Sequence, residues 1–163
     1  GRILYLRRMH EASLSEFEAA VTVNPSLAHA HLGHGTALCL SGQWERAIES
    51  LDRALRLSPH DPVIWVFSTA RAMTLLVSGR IEDAAESAAH ATRQPTAEVT
   101  AHIILAAAFA HLDREEEGRR AFADALSLKP DIDAAYVGQI FPFEEPANLE
   151  FILAGLRRAG LTD

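Results

Sequence analysis

Residues 28–61 read AHAHLGHGTALCLSGQWERAIESLDRALRLSPHD and contain the pattern that the rest of the chain repeats. Small residues and a closing proline occupy five regularly placed positions: Gly35, Gly42, Ala47, Ala54 and Pro59. Large apolar residues lie between them at three- and four-residue spacing, which is typical of helices with one apolar face. The stretch therefore predicts two antiparallel helices, here called helix A and helix B, joined by a tight turn at Gly42.

The same pattern recurs with a spacing of about 34 residues, the period of helix-turn-helix repeat proteins. Ala20 and Pro25 repeat Ala54 and Pro59 one period earlier. The predicted units are one partial repeat and three complete ones, over residues 1–25, about 26–59, 60–95 and 96–130.

The third unit is longer than the second. From the closing proline to the turn glycine there are 20 positions between Pro59 and Gly79, against 17 between Pro25 and Gly42. We therefore predict that helix A of the third repeat, or the loop before it, is three residues longer. The regular superhelix should be disturbed there.

The period ends at Pro130, and the last part of the chain has a different character. Phe141-Pro142-Phe143 predicts an extended segment, and an apolar helical pattern runs from about Pro146 to Ala159. A repeat array exposes an apolar face at its end unless another element covers that face. We interpret residues 131–163 as a capping segment and helix.

Composition narrows the class of protein. Apolar residues make up 48% of the 163 residues and aromatic residues only 7%, so alanine and leucine carry most of the packing, as in closely packed helices. The net charge of −7 disfavours binding to nucleic acid or to an anionic membrane.

The longest apolar run, residues 101–112, is too short to span a bilayer. Cys39 is a lone cysteine, so we expect a reducing cytoplasm. Because the chain opens inside a helical pattern, we expect it to be part of a longer protein.

These positions resemble the tetratricopeptide repeat. The residues of the second repeat that match its motif are Gly35, Leu38, Gly42, Ala47, Leu51, Ala54 and Pro59. Histidine replaces the usual tryptophan at His31 and His102, Asp113 replaces a turn glycine, and Trp65 is assigned to the tryptophan position of the third repeat. The resemblance implies an all-α superhelix of antiparallel helix pairs with a C-terminal capping helix, acting as a noncatalytic protein–protein interaction module.

Three segments resemble a narrower group of proteins. They are ALRLSPHDP at 54–62, SGRIEDA at 78–84 and FPFEEPANLEFILAGLRRAGL at 141–161. This combination is similar to the C-terminal repeat region of alphaproteobacterial multidomain proteins, in which a class III adenylate/guanylate cyclase domain or a winged-helix domain precedes the repeats. The resemblance implies a regulatory or scaffold region of a larger bacterial signalling protein.

No residue pattern indicates catalysis, a cofactor or a metal. His29, His31 and His34 lie within one helix, but no cysteine or acidic residue stands at matching helical spacing, so packing roles are favoured over metal binding. His34 and Cys39 are five residues apart and point away from each other around the helix, which disfavours a catalytic dyad. We therefore predict that the chain is not an enzyme.

The resemblance places a partner-binding groove along the inner faces of the A helices. The implied groove positions are Leu32, Thr36, Cys39, Leu40, Val66, Ala70, Met73, Ile103, Ala107, Ala110 and His111. They are mostly apolar and small, which suits an amphipathic helix or peptide from a partner or from another domain. The Lys/Arg/Asn clamp that some family members use for a terminal carboxylate is missing. The alternative is that the superhelix or the C-terminal cap fills the groove.

Self-association is a second functional hypothesis. Ile3, Leu4 and Leu6 would present an apolar face at the N-terminal end of the array, which could form a homodimer. The acidic balance of the chain favours basic partners in either case.

Overall fold

The computed structural model describes residues 10–162. Over that range the chain forms helices and turns without any strand, which confirms the all-α prediction. The helices are α1 His10–Val23, α2 Ala28–Leu40, α3 Trp44–Leu57, α4 Ile64–Val77, α5 Ile81–Thr92, α6 Val99–His111, α7 Glu115–Leu128, α8 Ala134–Ile140 and α9 Pro146–Ala159. Within this described part, none of the helices has the length and apolar character needed to cross a membrane.

The helices stack as antiparallel pairs. The most extensive contacts join α2 to α3, α4 to α5 and α6 to α7, and each pair also packs on the next one along the chain. The last helix, α9, turns back and packs on both α6 and α7. The order of contacts follows the order of the sequence, as expected of a repeat array.

The turns inside the three pairs share a left-handed residue. Gly42 has φ 76° and Gly79 has φ 84°, where a side chain would be strained, and this confirms the conformation predicted for Gly42. Asp113 takes the same place in the last pair with φ 58°. Aspartate tolerates this conformation better than most residues do, so the turn survives without its glycine.

Small residues allow the two helices of a pair to approach closely. A Cβ atom built on Gly35 would lie 2.5 Å from Leu51 Cγ and 3.0 Å from the Ala47 carbonyl oxygen of the facing helix. A bulkier side chain at Gly35 would therefore overpack the contact between α2 and α3.

The same serine-to-carbonyl hydrogen bond joins the two helices of the second repeat and those of the third, and it shows which residues of the two repeats are equivalent. Ser50 Oγ donates to the His31 carbonyl at 3.1 Å, and Ser87 Oγ donates to the Ser68 carbonyl at 3.0 Å. Ser68 is therefore the equivalent of His31. The assignment of Trp65 to the tryptophan position is wrong, because the inserted residues lie before this position and shift the count.

The insertion in the third repeat falls mainly in a loop. Helix α4 has 14 residues and α2 has 13, whereas residues 58–63 precede α4 and only 24–27 precede α2. Asp61 organises the longer loop by accepting hydrogen bonds from Ser58 Oγ and from the Val63 N–H. Helix α4 consequently begins at Ile64, after the loop 58–63 that follows the end of α3 at Leu57.

Candidate functional site

The inner faces of α2 and α4 enclose a cavity of about 650 Å³, which we call the open groove. Six of the positions implied by the sequence line it: Leu32, Thr36, Leu40, Val66, Ala70 and Met73. Phe17 of α1, the first residues of α6 and the segment after α8 complete its walls. The lining is largely apolar, as the sequence predicts.

Cys39 does not line this groove. It is fully buried in the main hydrophobic core, where burial raises the pKa of its thiol to about 12 although Thr74 hydrogen-bonds to it. A thiol with this pKa stays protonated near neutral pH, so Cys39 has a packing role.

The four groove positions proposed in the last repeat are covered by the chain itself. Ile103, Ala107 and Ala110 are fully buried, and His111 is half-buried. A Cβ atom built on Gly155 of α9 would lie 2.9 Å from the Ala107 carbonyl oxygen, so the two helices are in close backbone contact. These four positions therefore do not line the open groove.

His111 and Phe151 add a specific polar contact between α6 and α9. His111 Nε2 donates to the Phe151 carbonyl at 2.8 Å. The two rings stack with their centroids 3.9 Å apart and an interplanar angle of 3°. His111 thus holds the C-terminal helix against α6.

The segment 140–144, here called the strap, closes one end of the open groove. Phe141 and Phe143 are buried in the same core as α2 and α6. The Glu144 N–H donates to the Leu40 carbonyl at 2.9 Å, which satisfies a carbonyl at the C-terminal end of α2. The strap therefore fixes the C-terminal segment to the second repeat. Each of the two alternatives for the groove therefore applies to one part of it. The groove is filled along α6 and open along α2 and α4.

The two ends of the open groove differ in exposure. Leu40, Met73 and Phe141 are buried at the end where α2 and α4 finish. At the opposite end, where the A helices begin, Val63 and Glu98 are exposed to solvent. We call this exposed end the mouth of the groove.

The histidines of α2 make local contacts. His31 Nε2 donates to the Pro25 carbonyl at 3.0 Å, and His34 Nδ1 is hydrogen-bonded to Ser50 Oγ at 3.0 Å. Burial lowers the pKa of His34, although Glu18 opposes this effect. His29 lies 3.9 Å from Asp61 at the mouth. Among residues 10–162, no group of three or more His, Cys, Asp or Glu side chains is arranged to hold a metal ion.

Sequence reasoning missed the contributions of Trp65, Glu98 and the strap to the groove lining. The aromatic pair of the Phe-Pro-Phe segment, outside the repeat period, was the one signal that could have indicated the strap. No local sequence pattern indicates that Glu98 lines the groove. The apolar residues proposed for dimerisation, Ile3, Leu4 and Leu6, lie outside the described residues.

The chain matches a known family of repeat proteins over most of its length. A model of the tetratricopeptide repeat matches residues 2–62 and 69–135. The TPR repeat-containing thioredoxin TTL4 of Arabidopsis thaliana is 33% identical over 86 residues, which is 53% of this chain and 12% of that protein. The chain thus matches a small part of this much longer relative.

Solved structures share the whole architecture. The crystal structure of MamA has a TM-score of 0.67 at 15% identity and covers 96% of this chain and 90% of its own. The structure titled as YrrB, a TPR protein with an unusual peptide-binding site, has a TM-score of 0.63 at 18% identity, with 97% and 80% covered. At these identities the likeness shows the fold alone.

Proposed function

Because the chain belongs to the tetratricopeptide repeat family, we propose that its open groove binds an amphipathic helix or peptide of a partner protein. The family and fold are those of noncatalytic protein–protein interaction modules. The observation that carries the proposal is the apolar cavity of about 650 Å³ between α2 and α4, which the chain leaves open while it covers α6. A cavity of this size and lining is typical of sites that bury apolar side chains.

The structural neighbour YrrB, a TPR protein with an unusual peptide-binding site, supports this mode of binding. The finer proposal is that this module regulates or scaffolds a nucleotide cyclase or winged-helix domain of a larger bacterial signalling protein in the cytoplasm. The three sequence segments described above support it. If this arrangement is correct, the chain should bind a cyclase or winged-helix domain encoded in the same reading frame. Val66→Asp should weaken that binding.

A peptide-display library selected on the chain tests the groove directly. We expect the selected peptides to bind Val66→Asp at least about tenfold more weakly, because the new carboxylate must be desolvated against apolar side chains. Leu128→Asp is the matched control, since Leu128 is an exposed apolar residue on α7 away from the groove. Dissociation constants from fluorescence anisotropy give the comparison. Equal affinities for wild type and Val66→Asp would refute groove binding.

Self-association is a second candidate function. Val23 is 85% exposed and Leu27 is 45% exposed, so the link between α1 and α2 carries an unusual amount of apolar surface. Light scattering over a range of concentrations measures this directly. A dimer that persists in Val23→Asp would exclude this surface as its interface.

A further inference from the structure

The mouth of the open groove combines an acidic and an aromatic residue without a lysine or an arginine. Glu98 and Trp65 both line the cavity, and no lysine or arginine of the described chain does so. Glu98 is exposed, and within residues 10–162 it has neither a hydrogen bond nor an ion pair through its side chain. An unpaired carboxylate at the entrance of an apolar site is available to a cation brought by a ligand.

Trp65 lies beside the start of α6. It forms an apolar cluster with Ala91 and Ala101, and Ala97 packs against this cluster, so the indole is close to the segment that carries Glu98. Trp65 is only 8% exposed, so it offers a ligand an apolar wall of the groove and not an open ring face. A long basic side chain can lay its methylene groups on such a surface while its charged end reaches a carboxylate.

The charges around the mouth agree with a cationic ligand. Asp61 does not line the cavity, but its carboxylate lies 3.9 Å from Nδ1 of His29, which does, and it adds a second negative charge nearby. The positive ends of the α4 and α6 dipoles oppose this field, but a helix end carries only about half a unit charge. The net formal charge of the whole chain is −7, so long-range attraction also favours basic segments.

We propose that the peptide bound in the open groove carries one lysine or arginine, whose charged end pairs with the carboxylate of Glu98 while its methylene groups lie on the groove wall beside Trp65. The apolar side chains of the same peptide occupy the groove toward the strap. This inference rests on the proposed function and specifies the chemistry of the partner: an apolar segment with a basic residue at its end near the mouth.

Peptide-display selections on two forms of the chain test this pairing. Peptides selected on wild type should share a lysine or arginine at one position, and those selected on Glu98→Lys should carry Asp or Glu there. Glu98 makes no side-chain cap of α6, so the substitution leaves the fold in place. Glu82→Lys is the matched control, because Glu82 is an exposed acid on α5 that does not line the groove. Its selected peptides should match those of wild type.

Individual peptides then give a double-mutant cycle. Replacing the shared basic residue with norleucine should weaken binding to wild type by about two- to fivefold, from the loss of one exposed ion pair. The same replacement should have little effect on binding to the Glu98→Gln variant. Groove-dependent peptides without a shared basic residue would overturn this inference and leave the proposed function standing. If Val66→Asp weakens none of the selected peptides, both fail.

Discussion

The inner surface of the array has two regions that are both mostly apolar but differ in their exposure to solvent. Along α2 and α4, apolar side chains such as Leu32 and Val66 line an open cavity. Along α6, Ile103 and Ala107 also belong to a helix A but have no exposed surface, and Ala107 is in close backbone contact with Gly155 of α9. The difference teaches that accessibility in this superhelix is decided by where the C-terminal segment returns, because residue type is nearly the same in both regions.

The largest expected contrast comes from placing the same charge in both regions. Ile103→Asp should lower the free energy of unfolding by about 3–5 kcal/mol, because it buries a carboxylate without a partner. Val66→Asp should lower it by less than about 1 kcal/mol, because this half-buried side chain can reach water. Urea titration at neutral pH measures both values. Similar losses in the two variants would show that α6 and α4 are equally accessible and would break the comparison.

A smaller effect is expected from the contact that covers α6. Gly155→Leu should cost about 1–3 kcal/mol, because its side chain would collide with the Ala107 backbone. Ala147→Leu is the control on the same helix, since Ala147 is exposed. Thermal unfolding measures the loss, and hydrogen exchange should show faster exchange in α6 for Gly155→Leu alone. If both variants unfold alike, α9 does not depend on this close approach.

The smallest effect concerns pH. Burial lowers the pKa of His34 on α2 and of His102 on α6 in the folded chain, the latter despite the nearby Asp124. The unfolded chain therefore binds more protons than the folded one below the ordinary histidine pKa of about 6.5. Stability from these residues is complete above that pH and falls as the pH drops toward the lowered folded values.

The matching experiment is urea unfolding at pH 7.5 and 5.5. The double variant His34→Gln, His102→Gln should lose less stability between these pH values than wild type does. Comparing the two single variants separates the contribution of α2 from that of α6. An identical pH dependence in wild type and the double variant would contradict the lowered pKa values.

The repeat architecture could be predicted because it depends on local patterns. The alternation of small and large apolar residues around Gly35 and Gly42 encodes helix pairing and turn position through contacts between neighbours in sequence. The structure confirms the helices and the left-handed turn. The register of the third repeat was wrong at Trp65, because the count from the preceding proline passes through an insertion whose place the sequence did not settle.

The candidate site could be predicted only in part. Leu32, Thr36 and Val66 line the cavity as expected, because their position on a helix fixes which face they occupy. Cys39 has no exposed surface, although its place in the motif put it among the groove positions. The contribution of Glu98 depends on how the start of α6 sits beside α4, which no local pattern encodes.

The sequence by itself determined the helices, their pairing and the apolar character of the inner surface, because each depends on residues within one repeat period. Only the tertiary structure decided which part of that surface is open. The contacts from Glu144 to Leu40 and from Gly155 to Ala107 join residues far apart in the chain. Such contacts depend on the path of the whole superhelix, and they leave an apolar groove with an acidic mouth along α2 and α4.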